Sequence, residues 1–159
     1  MLKLGRTLLL PLLLFPLHAL AADCEVEAQL QDVQIQKCDG ERFLGTKGKQ
    51  GTLVNPMLFD AIPLGLERFW SDLCDCELWQ VSGIAGAHTH VARFYQTTSN
   101  GRFTLIPGGE FGSEIGKISR VSQSSGFIVE VRDADVSGKR KTWDRYRFDG
   151  KKFVRLKTP

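Results

Sequence analysis

Pro63-Leu-Gly-Leu-Glu-Arg-Phe-Trp-Ser-Asp-Leu-Cys-Asp-Cys-Glu77 is the stretch whose reading sets the fold class. Leu66, Phe69, Trp70 and Leu73 fall at i, i+3, i+4 and i+7, which on a helix makes one apolar stripe. Upstream, Asn55-Pro56 supplies an N-cap followed by proline in the first turn, a helix-start signal that Pro63 interrupts. The spacing predicts one short helix lying on a sheet, with its aromatic stripe in the core.

Beyond Cys76 the chain reads as strands. Leu78 to Ser82 is one. From His88 to Thr97, the set His88, His90, Ala92, Phe94 alternates with Thr89, Val91, Arg93, Tyr95. Asn100-Gly101 is a strong hairpin signal, returning through Phe103 to Ile106 before Pro107-Gly-Gly109 ends the strand. Ile118 to Val121 and Phe127 to Arg132 are two more. At the end, Asp149-Gly150 folds Trp143–Phe148 back onto Lys151–Leu156, setting Tyr146 opposite Phe153, Asp144 opposite Arg155 and Trp143 opposite Leu156. Upstream of the helix, a tight turn at Gln31-Asp32 pairs Leu30 with Val33 and Ala28 with Ile35, which brings Cys24 and Cys38 side by side. The expected fold is mainly β: an antiparallel sandwich or half-open barrel of about eight strands with one short packed helix.

Residues 1–21 read as a secretory signal. Lys3 and Arg6 form the positive region, Leu8 to Leu17 the apolar core, and Ala19-Leu-Ala21 the small-x-small cleavage site. The apolar run is too short and too broken by Pro11 and Pro16 to span a bilayer. Residues 22–159 are then a single exported β-rich domain, soluble in the periplasm and with no membrane span after signal cleavage. Its four cysteines imply two disulfide bonds in an oxidising compartment. The formal charge is +3, unevenly spread: residues 138–159 hold nine basic and two acidic side chains, while residues 22–137 hold ten and sixteen. A basic C-terminal hairpin on an acidic body can steer an anionic partner or simply protect a sheet edge. Export argues against nucleic acid.

Two constellations carry chemistry. Cys74 and Cys76, with His88 and His90, make a two-thiolate, two-imidazole set suited to zinc or copper, provided the cysteines are free. Oxidation is the competing state, and the connectivity stays open. Cys74 and Cys76 bond each other if Cys24 bonds Cys38, or else each takes one N-terminal cysteine. Asp72, Asp75 and Glu77 around the pair raise a thiol pKa, which argues against a thiol–disulfide enzyme. Asp133-x-Asp135-x-Ser137-Gly138 has calcium-loop spacing but is crowded by Lys139, Arg140 and Lys141. The nearest approach to a nucleophile elbow, Gly112 to Gly116, has the wrong spacing. The function expected is therefore a non-enzymatic periplasmic binding protein without a cofactor, engaging another protein of the cell envelope. One form is an inhibitor or immunity factor against a secreted hydrolase, contacting it through Pro107, Gly108, Gly109, Glu110 and Phe111 on a Gly-rich loop. Periplasmic copper or zinc binding through the Cys-x-Cys and His-x-His pairs is the alternative.

Overall fold

The computed structural model describes residues 24–49, 51–54, 62–86, 88–123, 126–134, 137 and 141–157. Twelve strands and no helix are found among them. The first four are β1 (Cys24–Leu30), β2 (Val33–Cys38), β3 (Glu41–Thr46) and β4 (Thr52–Val54). Next come β5 (Ile62–Ser71), β6 (Cys76–Ala85), β7 (Thr89–Thr97) and β8 (Phe103–Ser113). The last are β9 (Lys117–Gln123), β10 (Gly126–Ala134), β11 (Lys141–Phe148) and β12 (Phe153–Arg155). They form three four-stranded antiparallel meanders, β1–β4, β5–β8 and β9–β12, each ordered as in the chain.

The middle sheet serves two cores. Trp79, Val81, Val91, Tyr95 and Phe103 pack with Val33, Ile35 and Leu44 of the first sheet. Leu78, Ala92, Phe94, Ile106 and Phe111 pack with Phe127, Val129, Val131, Phe148 and Phe153 of the third. Successive residues of β6 and β7 thus alternate between cores, as side chains of a strand must. A strand buried on both faces reads as an almost unbroken apolar run, and Leu78–Val81 and Val91–Tyr95 have that character. The second core is aromatic: Phe94 lies with its ring centre 5.7 Å from Phe111, 6.0 Å from Phe127 and 5.1 Å from Phe153.

The expected helix is a strand. β5 pairs with β6 in the register Leu66↔Val81 and Phe69↔Leu78. Leu66 packs in the first core and Phe69 in the second, while Trp70 is 60 % exposed and Leu73 stands exposed in the following turn. When a strand contributes to two cores, both its faces take apolar residues, and a spacing of three or four arises without any helix. The upstream start signal, Asn55-Pro56, lies outside the described residues. The expectation of about eight strands in one sandwich or half-open barrel is corrected for the same reason. A two-layer count assigns each strand one buried face, and here the middle sheet has two.

The hairpin registers divide. Leu30↔Val33 and Ala28↔Ile35 pair as the sequence predicts, and a bulge between Val26 and Ala28 then sets Cys24 opposite Cys38. The last hairpin is displaced by two residues, with Phe148↔Phe153 and Tyr146↔Arg155. Asp149 causes this by accepting from the N–H groups of Lys151 (2.9 Å) and Lys152 (2.8 Å), which widens the turn beyond Asp149-Gly150. A slip of two keeps each side chain on its face, and Arg155 still reaches Asp144.

The expected Gly-rich loop after Ile106 is also strand. β8 continues to Ser113, with an irregularity between the pairs Tyr95↔Leu105 and Arg93↔Glu110. Within it Gly108 adopts φ 69°, and an added Cβ would come within 3.0 Å of the Phe153 carbonyl oxygen. Phe111 is buried in the second core. Glu110 lies 2.8 Å from the Arg93 guanidinium, whose side chain is 1 % exposed. A buried cation left without its counter-charge is strongly destabilising. Because Glu110 is itself partly solvated, Glu110→Gln is expected to cost about 2 kcal/mol in urea unfolding, below the fully buried range. Glu114→Gln, at an exposed position of the β8–β9 connection, should stay within about 0.5 kcal/mol.

Candidate functional site: a groove between two edge strands

All four cysteines are bridged, Cys24 to Cys38 and Cys74 to Cys76, with S–S distances of 2.04 Å and 2.01 Å. The second bridge closes the β5–β6 turn, where Asp75 takes φ 49°, a left-handed conformation that Asp tolerates. This turn rests on the third sheet. An added Cβ would lie 2.7 Å from the Leu73 side chain at Gly126, and 2.7 Å from the Leu73 carbonyl oxygen at Gly150. His90 pairs with Ile84 at the other end of β6, and His88 lies exposed just before β7. Cys76 and Ile84 are about 26 Å apart at the rise of an extended strand. Cys74, Cys76, His88 and His90 therefore do not converge. Among the described residues no group of three or more His, Cys, Asp or Glu side chains is placed to hold a metal ion. Residue spacing in sequence assigned each pair a face but not a position along the sheet.

Glu110 and Phe111, placed on a contact loop by the sequence reading, are instead engaged with Arg93 and the second core. Pro107 and Gly108 remain exposed, and Gly109 is buried. Of the calcium-like loop, Asp135 and Gly138 lie outside the described residues, and Asp133 accepts from the Ile115 and Ala134 N–H groups.

A site that does converge lies between β5, an edge of the second sheet, and β9, an edge of the third. Two cavities follow these strands. One, of about 480 Å³, is lined by Glu67, Gln80, Ser82 and His90 on one side and by Gly116 to Ile118 on the other. The other, of about 410 Å³, has Phe69 to Leu73 facing Arg120, Ser122 and Gln123. Arg120 stands between them, 3.1 Å from the Glu67 carboxylate and 4.0 Å above the Phe69 ring. The two cavities lie in line along one inter-strand gap, the groove, which the Arg120–Glu67 bridge crosses; it is polar at the His90 end and aromatic at the Trp70 end.

Its hydrogen bonding is incomplete. Gln80 is 8 % exposed and Ser71 4 %, yet Gln80 Oε1 and Ser71 Oγ have no partner among the described residues, and neither does the buried Nε of Arg120. Buried polar atoms in folded proteins are nearly always paired, and each orphan costs about 1–3 kcal/mol. All three flank this gap but are themselves out of contact with solvent, so a ligand reaches them only when the side chains turn outward. Of these residues the sequence reading singled out His90 alone. Gln80, a polar residue inside an apolar strand run, was the one readable hint to the rest.

The β9 wall is held at its entry. Ser113 Oγ donates to the Arg132 carbonyl (2.9 Å), and Asp133 accepts from the N–H groups of Ile115 (3.2 Å) and Ala134 (2.9 Å). At Gly116 an added Cβ would lie 1.7 Å from the Arg132 carbonyl oxygen, so only glycine fits. The Ile115 N–H, followed by that of Ala134 and the Ser113 hydroxyl, holds the Asp133 carboxyl below its usual pKa.

No protein-family model, curated protein or solved structure matches this chain.

Non-reducing peptide mapping should return only Cys24–Cys38 and Cys74–Cys76 cross-links; a Cys24–Cys74 or Cys38–Cys76 peptide would contradict the register of β1 and β2. Asp133 gives a second check. Its depressed pKa means that its contribution is present above the unfolded value of about 3.9 and is lost as pH falls through the lower folded value. The stability advantage of the native chain over Asp133→Asn in urea should therefore be full at neutral pH and shrink below about pH 4.

Proposed function

We propose that this protein is a non-catalytic binding protein that captures an extended segment of a partner protein in the β5–β9 groove. The observation that carries this reading is the pair of side chains Gln80 and Ser71, more than nine-tenths buried, whose Oε1 and Oγ have no partner among the described residues. An extended peptide offers alternating N–H and C=O groups that answer these atoms once the two side chains turn toward the gap. β9, as the edge of its sheet, offers a strand to add to. Phe69, Trp70 and Leu73 at one end take an apolar side chain of the segment, and Glu67, Ser82 and His90 at the other take a polar one. The second core and the Arg93–Glu110 pair hold the middle sheet that forms the groove floor, so the site is preformed.

The reading is tested by selecting linear peptides from a phage-displayed library on the immobilised protein. Bound peptide should slow amide exchange along Lys117–Gln123. Gln80→Leu should weaken peptide binding about tenfold while leaving stability unchanged or raising it by about 1 kcal/mol, since it removes an unpaired buried acceptor. Ser71→Ala should act in the same direction. If no peptide is enriched, or if Gln80→Leu binds as tightly as the native chain, the groove is not the binding site.

A further inference from the structure

Charge in this chain divides at the β8–β9 connection. Residues 22–116 carry seven basic and thirteen acidic side chains, net −6, whereas residues 117–159 carry twelve and five, net +7. The third sheet is therefore a cationic layer on an acidic body. Its inner face is the aromatic core. Its outer face is made by the alternate residues. The register places Lys117, Arg132 and Trp143 in one row, Ser119, Glu130 and Arg145 in the next, then Val121, Ile128, Arg147 and Val154.

In these three rows four cations stand with one acid, and the acid is not on display. The Glu130 side chain is 9 % exposed and lies 3.2 Å from Arg132 and 3.4 Å from Arg145, so it orients the two guanidinium groups. Both also stand over the Trp143 ring, at 5.1 Å and 5.8 Å, and that ring is 48 % exposed. Val121 and Val154, exposed as well, lie on the same face. The apolar side chains stand singly between the cations. A protein–protein contact gathers its apolar residues into a desolvated centre with charges at the rim. Interspersed cations with a tryptophan and aliphatic tips on an open sheet face suit the boundary of a bilayer, where phosphate meets the outer acyl carbons.

We propose that the outer face of the third sheet docks on an anionic membrane surface. Lys117, Arg132, Arg145 and Arg147 meet headgroup phosphates, and Trp143, Val121 and Val154 reach the acyl boundary. The protein lies on the membrane and does not cross it. Ile118 and Arg120 of β9 point to the opposite side; Lys117 belongs both to this face and to the groove lining, so Arg147 and Trp143 are the positions that report on the face apart from the groove.

Sedimentation with vesicles tests this. The purified protein should pellet with vesicles of phosphatidylcholine containing phosphatidylglycerol, remain in solution with phosphatidylcholine alone, and be released by salt. Arg147→Ser and Lys117→Ser should each weaken binding about fivefold, the effect of one basic residue near a charged surface. Trp143→Ser should weaken it too, while Lys47→Ser, on the exposed β3–β4 turn, should change nothing. All four positions are exposed, so the variants should fold like the native chain. Equal pelleting with neutral and anionic vesicles would overturn the proposal. So would affinity for soluble poly-glutamate without affinity for anionic vesicles, which would point to an acidic protein partner instead.

Discussion

The structure depends on one constraint: the middle sheet is buried on both faces. β6 and β7 supply side chains alternately to an aliphatic–aromatic core on one side and a phenylalanine-rich core on the other. The apolar faces of both outer sheets are buried against the middle one. Fully burying a large apolar side chain is worth about 1.5–3 kcal/mol, and the middle sheet collects this gain twice per pair of residues. The polar groups it carries must then be settled inside the protein. Arg93 is matched by Glu110 across the β7–β8 ladder. Gln80, on the face turned to the third sheet, is not matched.

That contrast links fold to function. Arg93 meets a neighbouring strand and finds Glu110 there; Gln80 meets the gap between two edge strands, and its Oε1 has no partner among the described residues. The groove exists because β9 is the last strand of its sheet and does not pair with β5. The Arg120–Glu67 bridge ties the two strands by side chains only and leaves space on either side. The third sheet has a second exposed surface with different chemistry, cationic and interspersed with apolar tips. Its β9 contributes to both surfaces, Arg120 to the groove and Lys117 to the outer face and the groove mouth.

Much of the local structure was legible. The first hairpin and its disulfide follow from apolar pairing around Gln31-Asp32, and most of the strands from β6 onward were visible in apolar alternation. The misreading of β5 has a specific origin. Leu66, Phe69, Trp70 and Leu73 share a helical spacing, and nothing local distinguishes a helix stripe from a strand that feeds two cores. The last hairpin was misregistered because the Asp149 carboxylate organises the turn, and the turn chemistry rather than the apolar pattern sets the register. The functional residues were the least legible. A four-ligand metal set was plausible in sequence because both pairs had same-face spacing, yet the cysteines stand at the start of β6 and the histidines beside its far end, on and before β7.

Composition and pattern alone determined that this is a β protein, that its charge is divided along the chain, and that its N-terminal hairpin sets Cys24 beside Cys38. These properties are local, set by the alternation of side chains and by turn residues. Tertiary structure decided that there are three sheets, that Glu110 answers a buried arginine, and that Gln80 and Ser71 lie unpartnered in one groove. Each of these depends on which strands lie face to face at long separation in the chain. Such contacts are fixed by the packing of two cores against one sheet, and no short window of sequence contains both partners.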